Sequence, residues 1–467
     1  MSVVIHPKPE AFRDSLSTVD KRGKRVWLYP KLQKGKMYNR RHSLGYGFLA
    51  LLIAGPFFNY DGHPVFLFNV LERTFVIFGV PFFPQDFFLF GLAMLSFIIF
   101  IALFTAVFGR IFCGWACPQT IFMEMVFRKI EYWIEGDASQ KKRLDQQPWN
   151  TEKILKKSSK QVVFYLISVF FTNVFLAYVI GIDQLQKIVS EPLTQHFAGF
   201  AGMLAFAGVF FFVFSWMREQ ICTIVCPYGR LQGVLLDKDS INVSYDHVRG
   251  EPRGKVASKV ATGDCVDCKL CVNVCPTGID IRNGIQLECI SCSACIDACD
   301  DIMTKLSRPT GLIRYASQNQ IVAKKGFRFT PRIVAYLVVF AIMFSGVTYG
   351  VVTREAVEVT MLRTPGMLYQ KQPDGTVSNL YSINLVNKTF HDQTVELRSQ
   401  HRFGILKVMG ESVVVPAAGL KDIMATIRFS PRQIEHNKTT LMLDVIANGK
   451  KIDEVETVFI GPVHYEE

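Results

Sequence analysis

Long apolar runs dominate the hydrophobic pattern of the chain. Four of them, residues 87–108, 162–181, 197–217 and 333–352, are each roughly 20 residues long without internal charge, enough for a helix to cross a bilayer. A fifth run, residues 44–60, is shorter and is interrupted by a Gly-Pro pair, and we also interpret it as a span. Buried helices of soluble proteins keep a polar face, which these runs lack. The pattern predicts a membrane protein with an α-helical transmembrane bundle of about five spans.

Basic residues are concentrated in alternate segments between these runs. Residues 1–43 carry 11 Lys or Arg against 3 acids, and residues 110–160 carry 10. The loops at 61–86 and 182–196 hold one basic residue each, and residues 308–332 hold six with no acid. By the positive-inside rule, the basic segments face the cytoplasm and the two bare loops face away from it. This topology accounts for the formal net charge of +12, and no nucleic-acid recognition motif accompanies the charge, so we expect no nucleic-acid partner.

One segment after the second span has helical periodicity but mixed polarity. Residues 121–134, IFMEMVFRKIEYWI, alternate apolar side chains with charged ones at helical spacing. Such a helix could lie on the inner membrane surface. It could equally pack on the cytoplasmic part of the chain, and periodicity alone does not choose between the two.

The C-terminal segment has the two-residue alternation of β-strands. Buried-type side chains recur at every second position, separated by turn signals at Asp374-Gly375 and Asn448-Gly449. The alternating residues are Tyr381, Ile383, Leu385, Val395, Leu397, Ile427, Phe429, Leu441, Leu443 and Val445. Short strands over about a hundred residues predict a small all-β sandwich of immunoglobulin-like architecture, without a disulfide because the segment has no cysteine.

Eight of the 12 cysteines form two copies of one pattern, CVDCKLCVNVCP at 265–276 and CISCSACIDACD at 289–300. This Cys-x2-Cys-x2-Cys-x3-Cys spacing is that of bacterial two-cluster ferredoxins, in which the fourth cysteine of each run binds the other cluster. A zinc ribbon would use only four of the thiols. We predict one [4Fe-4S] cluster on Cys265, Cys268, Cys271 and Cys299, and a second on Cys289, Cys292, Cys295 and Cys275.

The other four cysteines form a second repeat at the inner ends of the apolar runs. CGWACPQT at 113–120 and CTIVCPYG at 222–229 each contain Cys-x3-Cys-Pro. If each pair lies in one helix, both thiols project from the same face, and the proline marks a helix end or kink. Four soft thiols could hold Cu(I), zinc or iron-sulfur iron. The alternative, cysteines that only pack helix ends, stays open.

Two kinds of neighbour could assist these thiols. Arg110, together with Arg218 or Arg230, is expected to lower their pKa values. His42, at the inner end of the first run, is either a further ligand or a surface residue.

The predicted organisation has five parts. They are a cytoplasmic basic arm (1–43), a four-helix transmembrane region with both Cys-x3-Cys-Pro motifs (44–231), a cytoplasmic α+β two-cluster ferredoxin-like domain with a basic linker (232–331), a fifth transmembrane helix (332–352) and a periplasmic immunoglobulin-like domain (353–467).

Over essentially its whole length the chain resembles the cytochrome c oxidase accessory protein family, also called the CcoG, RdxA or FixG family. The resemblance rests on GWACPQT, CPYGRLQ, CPTGIDIRNGIQLECI, LRTPGMLYQ and DGTVSNLYSINLVNKT, in this order. It implies a multi-pass protein of the bacterial inner membrane. It also implies an oxidoreductase, a cupric reductase that passes electrons through two [4Fe-4S] clusters to reduce Cu(II) to Cu(I). That activity would support copper delivery and assembly of cbb3-type cytochrome c oxidase.

On this interpretation copper, as substrate or bound ion, lies at Cys113, Cys117, Cys222 and Cys226. The expected partners are the membrane, copper, a cytoplasmic electron donor and periplasmic assembly proteins that bind the C-terminal domain. A homodimer is compatible with the sequence. A quinol dehydrogenase is the alternative, because the membrane subunit that feeds periplasmic nitrate reductase resembles residues 1–300. A copper chaperone or scaffold without enzymatic activity would leave eight cluster ligands without a purpose.

Overall fold

The structure is a computed structural model of the full chain. It describes residues 17–20, 22–60, 62–70, 74–83, 86–192, 194, 196–255, 263–324, 326, 328–366, 368–400, 405–408, 413–430, 434 and 436–462. Residues 1–16 of the predicted basic arm therefore lie outside the described part. The chain divides into two compact units, one with residues 1–55, 93–177 and 182–344, the other with residues 56–92, 178–181 and 345–467.

Helices account for most of the first unit. The α-helices are α1 (Lys36–Ala54), α2 (Phe87–Phe108), α3 (Ile111–Trp115), α4 (Pro118–Ile121), α5 (Arg128–Glu135), α6 (Ala138–Gln146), α7 (Thr151–Ile180), α8 (Ile182–Ser190), α9 (Phe197–Phe212), α10 (Pro227–Leu235), α11 (His247–Gly250), α12 (Leu270–Asn273), α13 (Ala294–Lys305), α14 (Gln318–Ala323) and α15 (Pro331–Val352). Wider π-helical turns occupy Phe122–Phe127, Val213–Met217 and Ile221–Val225, and 3-10 turns occupy Gly55–Phe57 and Ile281–Asn283.

Four helices in the described part of the chain are long and apolar enough to cross a membrane. They are Phe87–Phe108, Thr151–Ile180, Phe197–Met217 and Pro331–Val352. Each contains or closely matches one of the predicted runs, so the chain is a membrane protein with a helical bundle. The helix that begins at Thr151 starts 11 residues before the predicted run at 162. Its first turns contain Glu and Lys, which are good helix formers but are too polar to belong to an apolar run.

The predicted span at 44–60 differs from the structure. Helix α1 begins at Lys36, ends at Ala54 and passes into the 3-10 turn Gly55–Phe57. Proline lacks a backbone N–H and favours an extended residue before it, so Gly55-Pro56 ends the helix. At about 28 Å, α1 is nearly as long as the hydrocarbon core is thick. Its first half is polar, however, and it is not among the four apolar helices.

The mixed-polarity segment 121–134 is buried within the first unit. Its Lys129 and Tyr132 also border a cavity together with Cys292 of the ferredoxin-like part, which agrees with the second alternative from the sequence. It is helical from Pro118 to Glu135 through α4, a π-helical turn and α5. The ring of Phe127 stacks on Phe214 with centroids 4.9 Å apart and meets Phe164 edge-on at 4.9 Å. Its apolar side thus belongs to the buried core shared with α7 and α9.

The charged side of the same segment is buried as well, and it is neutralised by ion pairs. Glu131, 5% exposed, accepts hydrogen bonds of 3.0 and 2.7 Å from the two terminal nitrogens of the Arg218 guanidinium. Lys141 and Lys160 approach the same carboxylate at 3.2 and 3.5 Å. Burial alone would raise the pKa of Glu131, but these cations, Arg218 first, hold that pKa well below its ordinary value.

The ferredoxin-like part is a compact α+β block in the first unit. Strands β6 (Asn242–Tyr245) and β7 (Ile313–Ala316) pair antiparallel, and α12 and α13 pack beside them. Apolar side chains and the cysteines share one buried cluster there. The cysteine runs are therefore embedded in a folded core, which confirms the predicted α+β fold class.

The remaining strands lie in the second unit. They are β1 (Asn59–Tyr60), β2 (His63–Pro64), β3 (Phe66–Asn69), β4 (Thr74–Ile77), β5 (Val80–Phe82), β8 (Val357–Arg363), β9 (Gln370–Lys371), β10 (Val377–Asn387), β11 (Gln393–Ser399), β12 (Ile405–Val408), β13 (Val413–Val415), β14 (Leu420–Phe429), β15 (Lys438–Ala447) and β16 (Lys450–Ile460). Strands β12-β14-β10-β8, with β9 on β10, form one antiparallel sheet, and β13-β11-β15-β16 form the other.

These two sheets confirm the predicted β-sandwich. Alternate residues of β10, among them Tyr381, Ile383 and Leu385, are fully buried between the sheets together with alternate residues of β14 and β15. Asn448 and Gly449 both have positive φ, +49° and +79°, as a two-residue hairpin turn requires. The spacing of apolar residues and turn signals was sufficient to predict this domain.

The loop before α2 is fastened to the β-sandwich. Asp86, which precedes Phe87, accepts hydrogen bonds from Lys388 at 2.8 Å and from Arg354 at 2.5 Å. Arg354 follows the last helix, and Lys388 follows β10. The residue that precedes α2 is therefore bound directly to the C-terminal domain.

The buried ion pair of Glu131 yields a first prediction. Glu131→Gln keeps the shape of the side chain but removes the nearest counter-charge of Arg218 and of Lys141, while Lys160 keeps its pair with Glu135, so we expect the folded state to lose about 3–5 kcal/mol. The measurement is the thermal unfolding midpoint of the detergent-solubilised protein. Glu152→Gln, which removes an exposed pair with Lys156, is the matched control and should unfold close to wild type. A Glu131→Gln midpoint equal to that of the control would contradict the prediction.

Candidate redox site

Two small cavities in the ferredoxin-like part are lined by thiols, each of about 20 Å³. The first is bordered by Cys265, Cys268, Cys271 and Cys299. The second is bordered by Cys275, Cys289, Cys292 and Cys295, with Cys271 at its edge. The structure thus brings together the two sets that the spacing predicts, including the exchange of the fourth cysteine between the runs.

Matching backbone conformations in the two runs aim the thiols inward. In the first run Asp267 and Lys269 have positive φ values of +51° and +58°, and Ser291 and Ser293 at the equivalent places in the second run have +55° and +66°. Non-glycine residues rarely adopt this left-handed conformation. Repeating it twice in each run curls the chain around a centre, as a cysteine loop that wraps a cluster must do.

The second run departs from the usual pattern because Asp300, not proline, follows its fourth cysteine. Helix α13 consequently continues through this position to Lys305, and Asp300 accepts a hydrogen bond from the backbone N–H of Gly311 at 2.8 Å. Cys299 still borders the first cavity from within the helix. The substitution changes the local backbone without removing a thiol from the set.

The thiols fit iron-sulfur clusters in type and placement. Burial raises the pKa of Cys271, Cys292 and Cys299 to about 12 in each case and that of Cys289 to about 11. Loading such thiols with metal releases their protons. Each set would hold one [4Fe-4S] cluster, which supplies one-electron redox chemistry when bound.

The acidic residues beside the cysteine runs have partners that offset their negative charge. Asp264 and Asp267 pair with Arg249 and Arg282, both at 2.5 Å. Asp297 accepts hydrogen bonds of 3.0 and 2.7 Å from the backbone N–H groups of residues 37 and 38, at the start of α1. Their tendency to lower the cluster potentials is therefore partly compensated by these donors.

The Cys-x3-Cys-Pro motifs do not have the predicted geometry of two thiols on one helix face. Cys113 lies in α3 and Cys222 in a π-helical turn, but Cys117 and Cys226 are extended, with ψ values of 124° and 113°. The residue before proline is disfavoured in helical conformation, so both helices stop before the second cysteine. Pro118 and Pro227 then start new helices, α4 and α10.

The two motifs share a backbone arrangement and lie close to each other. The N–H of Cys117 bonds to the carbonyl five residues earlier at 2.9 Å, and that of Cys226 does the same at 2.8 Å. The side-chain amide of Gln232, on α10, donates to the Cys113 Sγ at 3.4 Å. The other three thiols lie near Cys222: after burial, which is the largest cause, Cys117, Cys113 and Cys226 each raise the pKa of Cys222.

The expected effect of Arg110 on these thiols is present but outweighed. Arg110 lowers the pKa of Cys222, whereas burial, the larger effect, raises it to about 12. Arg218 is engaged with Glu131, and Arg230 is exposed. Desolvation of the thiols outweighs the nearby positive charge.

Single-ion coordination is not preformed in the part of the chain that the structure describes. No group of three or more His, Cys, Asp or Glu side chains there converges as the ligands of one metal ion. A cluster holds its thiolates apart around its own core, so this finding does not bear on the two cysteine cavities. His42 is buried in α1 against Tyr38, with ring centroids 3.9 Å apart, and is not the surface residue that one alternative expected.

A close backbone approach joins the first motif to the second cysteine run. A Cβ atom on Gly114 would lie 2.4 Å from the carbonyl oxygen of Ile290 and 2.8 Å from the carbonyl carbon of Ser291, so only glycine fits. Trp115 Nε1 donates to the Tyr315 hydroxyl at 2.8 Å, which in turn donates to the Ser291 carbonyl at 2.9 Å. The first Cys-x3-Cys-Pro motif and the loop that carries Cys289 and Cys292 are thus in direct contact.

Three family models match parts of the chain. A family model described as a 4Fe-4S dicluster domain matches residues 217–318, one described as a 4Fe-4S binding domain matches residues 90–138, and one described as an IG-like fold at the C-terminal of FixG, putative oxidoreductase, matches residues 347–462. The chain is 34% identical over 424 residues to the nitrogen fixation protein FixG of Rhizobium meliloti, covering 80% of this chain and 79% of that one.

The chain belongs to the FixG/RdxA family. Two further FixG/RdxA relatives from Cereibacter sphaeroides support this: protein RdxA is 34% identical over 365 residues, covering 75% of this chain and 77% of its own, and protein RdxB is 33% identical over 388 residues, covering 78% and 80%. Together, the 4Fe-4S family matches and the membership of the FixG/RdxA family identify the chain as a membrane iron-sulfur protein with an electron-transfer role.

The exchanged cysteine can be tested by iron content. Cys299→Ser should remove about four of eight iron atoms by disabling the first set, although Cys299 belongs to the second run. Adding Cys265→Ser should remove no more iron, whereas adding Cys289→Ser should remove nearly all of it. Iron analysis of the anaerobically purified full-length protein measures this. Additional iron loss on combining Cys299→Ser with Cys265→Ser would contradict the assignment.

The glycine contact gives a separate prediction. Gly114→Ala should push the first motif away from the Ile290 carbonyl, because both sides of the contact are backbone, and should alter the electron paramagnetic resonance spectrum of the reduced protein. Gly208→Ala, in a span with no atom within 4 Å of the added Cβ, is the control and should leave the spectrum unchanged. Identical spectra for Gly114→Ala and wild type would show that the contact is not tight.

Proposed function

We propose that this protein is a cupric reductase of the bacterial inner membrane. It passes electrons to Cu(II), releases or holds Cu(I), and thereby supports copper delivery and assembly of cbb3-type cytochrome c oxidase. In this proposal the ferredoxin-like part is cytoplasmic and the C-terminal domain is periplasmic. The copper activity extends the electron-transfer role of the family to a specific acceptor.

The contact between Gly114 and the second cysteine run is the observation that carries the proposal. It puts the motif that contains Cys113 and Cys117 against the loop that contains Cys289 and Cys292. When bound, a [4Fe-4S] cluster gives and takes single electrons, and Cu(II) needs one electron to become Cu(I). Soft thiolates stabilise Cu(I) over harder cations.

The four thiols of the Cys-x3-Cys-Pro motifs would have to move closer to one another to hold copper. No three of them converge on one point in the described structure, so binding draws them from their present positions. Cys117 and Cys226 are suited to this movement, because each occupies an extended link between two helices. Cys113 is held more firmly, since it lies within α3 and accepts a hydrogen bond from Gln232.

The β-sandwich is proposed as the surface for periplasmic assembly partners. It holds no cysteine, so it offers no thiol ligand to copper or iron. Its attachment to the loop before α2 through Asp86 keeps it beside the spans. A function in protein contact is therefore better supported for this domain than a function in electron transfer.

Copper chemistry can be tested with four substitutions. The chain with Ser at Cys113, Cys117, Cys222 and Cys226 should lose copper binding and Cu(I) production while its iron-sulfur absorbance stays as in wild type. The assay reduces the protein anaerobically with dithionite, removes the excess, adds one equivalent of Cu(II), and records iron-sulfur absorbance and a Cu(I)-specific chelator signal together.

Thr223→Ser, inside the second motif but not a thiol, is the matched control and should behave as wild type. Wild-type protein whose iron-sulfur absorbance stays bleached in the presence of Cu(II) would contradict the reductase. Unchanged copper binding by the four-serine variant would contradict the proposed copper site.

A further inference from the structure

A cavity of about 590 Å³ opens on the ferredoxin-like part and has no role in the chemistry described above. Its walls are formed by residues 236–238 after α10, residues 244–247, the loop 283–288 and the start of α14. Sites for small organic molecules have volumes of roughly 300–1,000 Å³. The cavity is therefore of a size to take an organic ligand, whereas the cysteine cavities are not.

Residues of the cavity lining adjoin both sets of cysteines. Tyr245, in one wall, packs in the same buried cluster as Cys265 of the first set. Glu288, in another wall, immediately precedes Cys289 of the second set. A ligand here would therefore contact residues that neighbour each set.

One wall is also fixed to the inner ends of two membrane spans. Ser240 Oγ donates to the carbonyl of Ala106 at 2.7 Å, within the last turn of α2. The guanidinium of Arg332, the second residue of α15, donates to the carbonyl of Leu235 at 3.0 Å. Residues 235–240 are thus held at the level where α2 ends and α15 begins, which is the membrane surface.

Apolar side chains are exposed beside the cavity. Val234 is 79% exposed, Val322 59%, Val248 56% and Leu287 54%, and each either lines the cavity or neighbours in sequence a residue that does. Exposed apolar side chains beside a cavity with both polar and apolar lining suit a ligand with a polar head and a hydrocarbon tail.

The charges of the lining argue against a nucleotide. Among the described residues that line the cavity, Lys238 is the one permanent cation, and Asp237 and Glu288 are acidic. Nucleotide phosphates are bound by several cations or by backbone N–H groups at a helix N-terminus. An uncharged ring with hydroxyl groups fits this lining better.

We propose that this cavity binds the ring of a membrane quinol, which is the electron donor of the protein. The proposal rests on the proposed function for its electron acceptor. Oxidation of one quinol to the quinone releases two electrons and two protons. Two Cu(II) ions each take up one electron to become Cu(I), and the protons pass to water at the open mouth of the cavity.

His247 is the side chain best placed to hold a ring hydroxyl. It begins α11, is exposed to the cavity, and its ring makes no hydrogen bond with another described residue. Gln318, at the first position of α14, is also exposed at the lining. A larger side chain at residue 318 would take up part of the cavity, and this residue belongs to neither cysteine run.

The test uses full-length protein in nanodiscs and a photoactivatable azido derivative of decylubiquinone. We expect peptides that contain residues 236–247 or 283–288 to be labelled, and excess decylubiquinone to prevent the labelling. Gln318→Trp should weaken labelling at least about tenfold, a loss of 1.4 kcal/mol or more. His247→Ala, a smaller change that keeps the cavity open, should weaken it as well.

Gln186→Trp, an exposed glutamine on α8 that is not part of the cavity lining, is the matched control and should label as wild type. Variants are compared after their iron content is shown to match wild type. Label confined to other peptides, or labelling of both cavity variants at the wild-type level, would overturn the proposal.

A redox measurement separates this proposal from the copper function. Decylubiquinol should bleach the iron-sulfur absorbance anaerobically, whereas NADH and reduced flavin mononucleotide should not. If quinol neither labels nor bleaches the protein but dithionite-reduced protein still forms Cu(I), the quinol site is wrong and the copper function stands. If quinol labels and bleaches the protein but no Cu(I) forms with either reductant, the copper function is wrong and the quinol site stands.

Discussion

The buried ion pair between Glu131 and Arg218 holds together the two halves of the membrane region. Glu131 lies on the helix that continues from the first Cys-x3-Cys-Pro motif, and Arg218 lies four residues before the second. Each side chain is nearly inaccessible, so neither charge tolerates separation from the other. Because the carboxylate meets two guanidinium nitrogens at once, the pairing also sets the orientation of the two segments.

Features with a short repeat could be predicted from the sequence. The division of eight cysteines into two sets follows from their spacing, and the alternation at Tyr381, Ile383 and Leu385 follows from the two-residue period of a strand. The spans follow from length and apolarity. In each case the information lies within a few residues, or in a pattern that local geometry repeats.

Features that depend on distant partners could not be predicted. The segment around Glu131 has charges at helical spacing, which is typical of a surface helix, and its burial is stabilised chiefly by Arg218, 87 residues later, with Lys141 and Lys160. The cavity of about 590 Å³ is lined by residues from four separate segments of the chain. The placement of Cys117 is different, since the restriction on a residue before proline was present in the sequence. The prediction assumed an ideal helix from Cys113 to Cys117 and did not take this restriction into account.

The carboxylate of Asp86 has a mechanical consequence for the C-terminal domain. It is bound at once by Arg354, two residues after the last span, and by Lys388, at the end of β10. The following residue, Phe87, begins one of the apolar helices, so these bonds tie the β-sandwich to the first turn of α2. The chain after Val352 therefore does not act as a flexible tether while they hold.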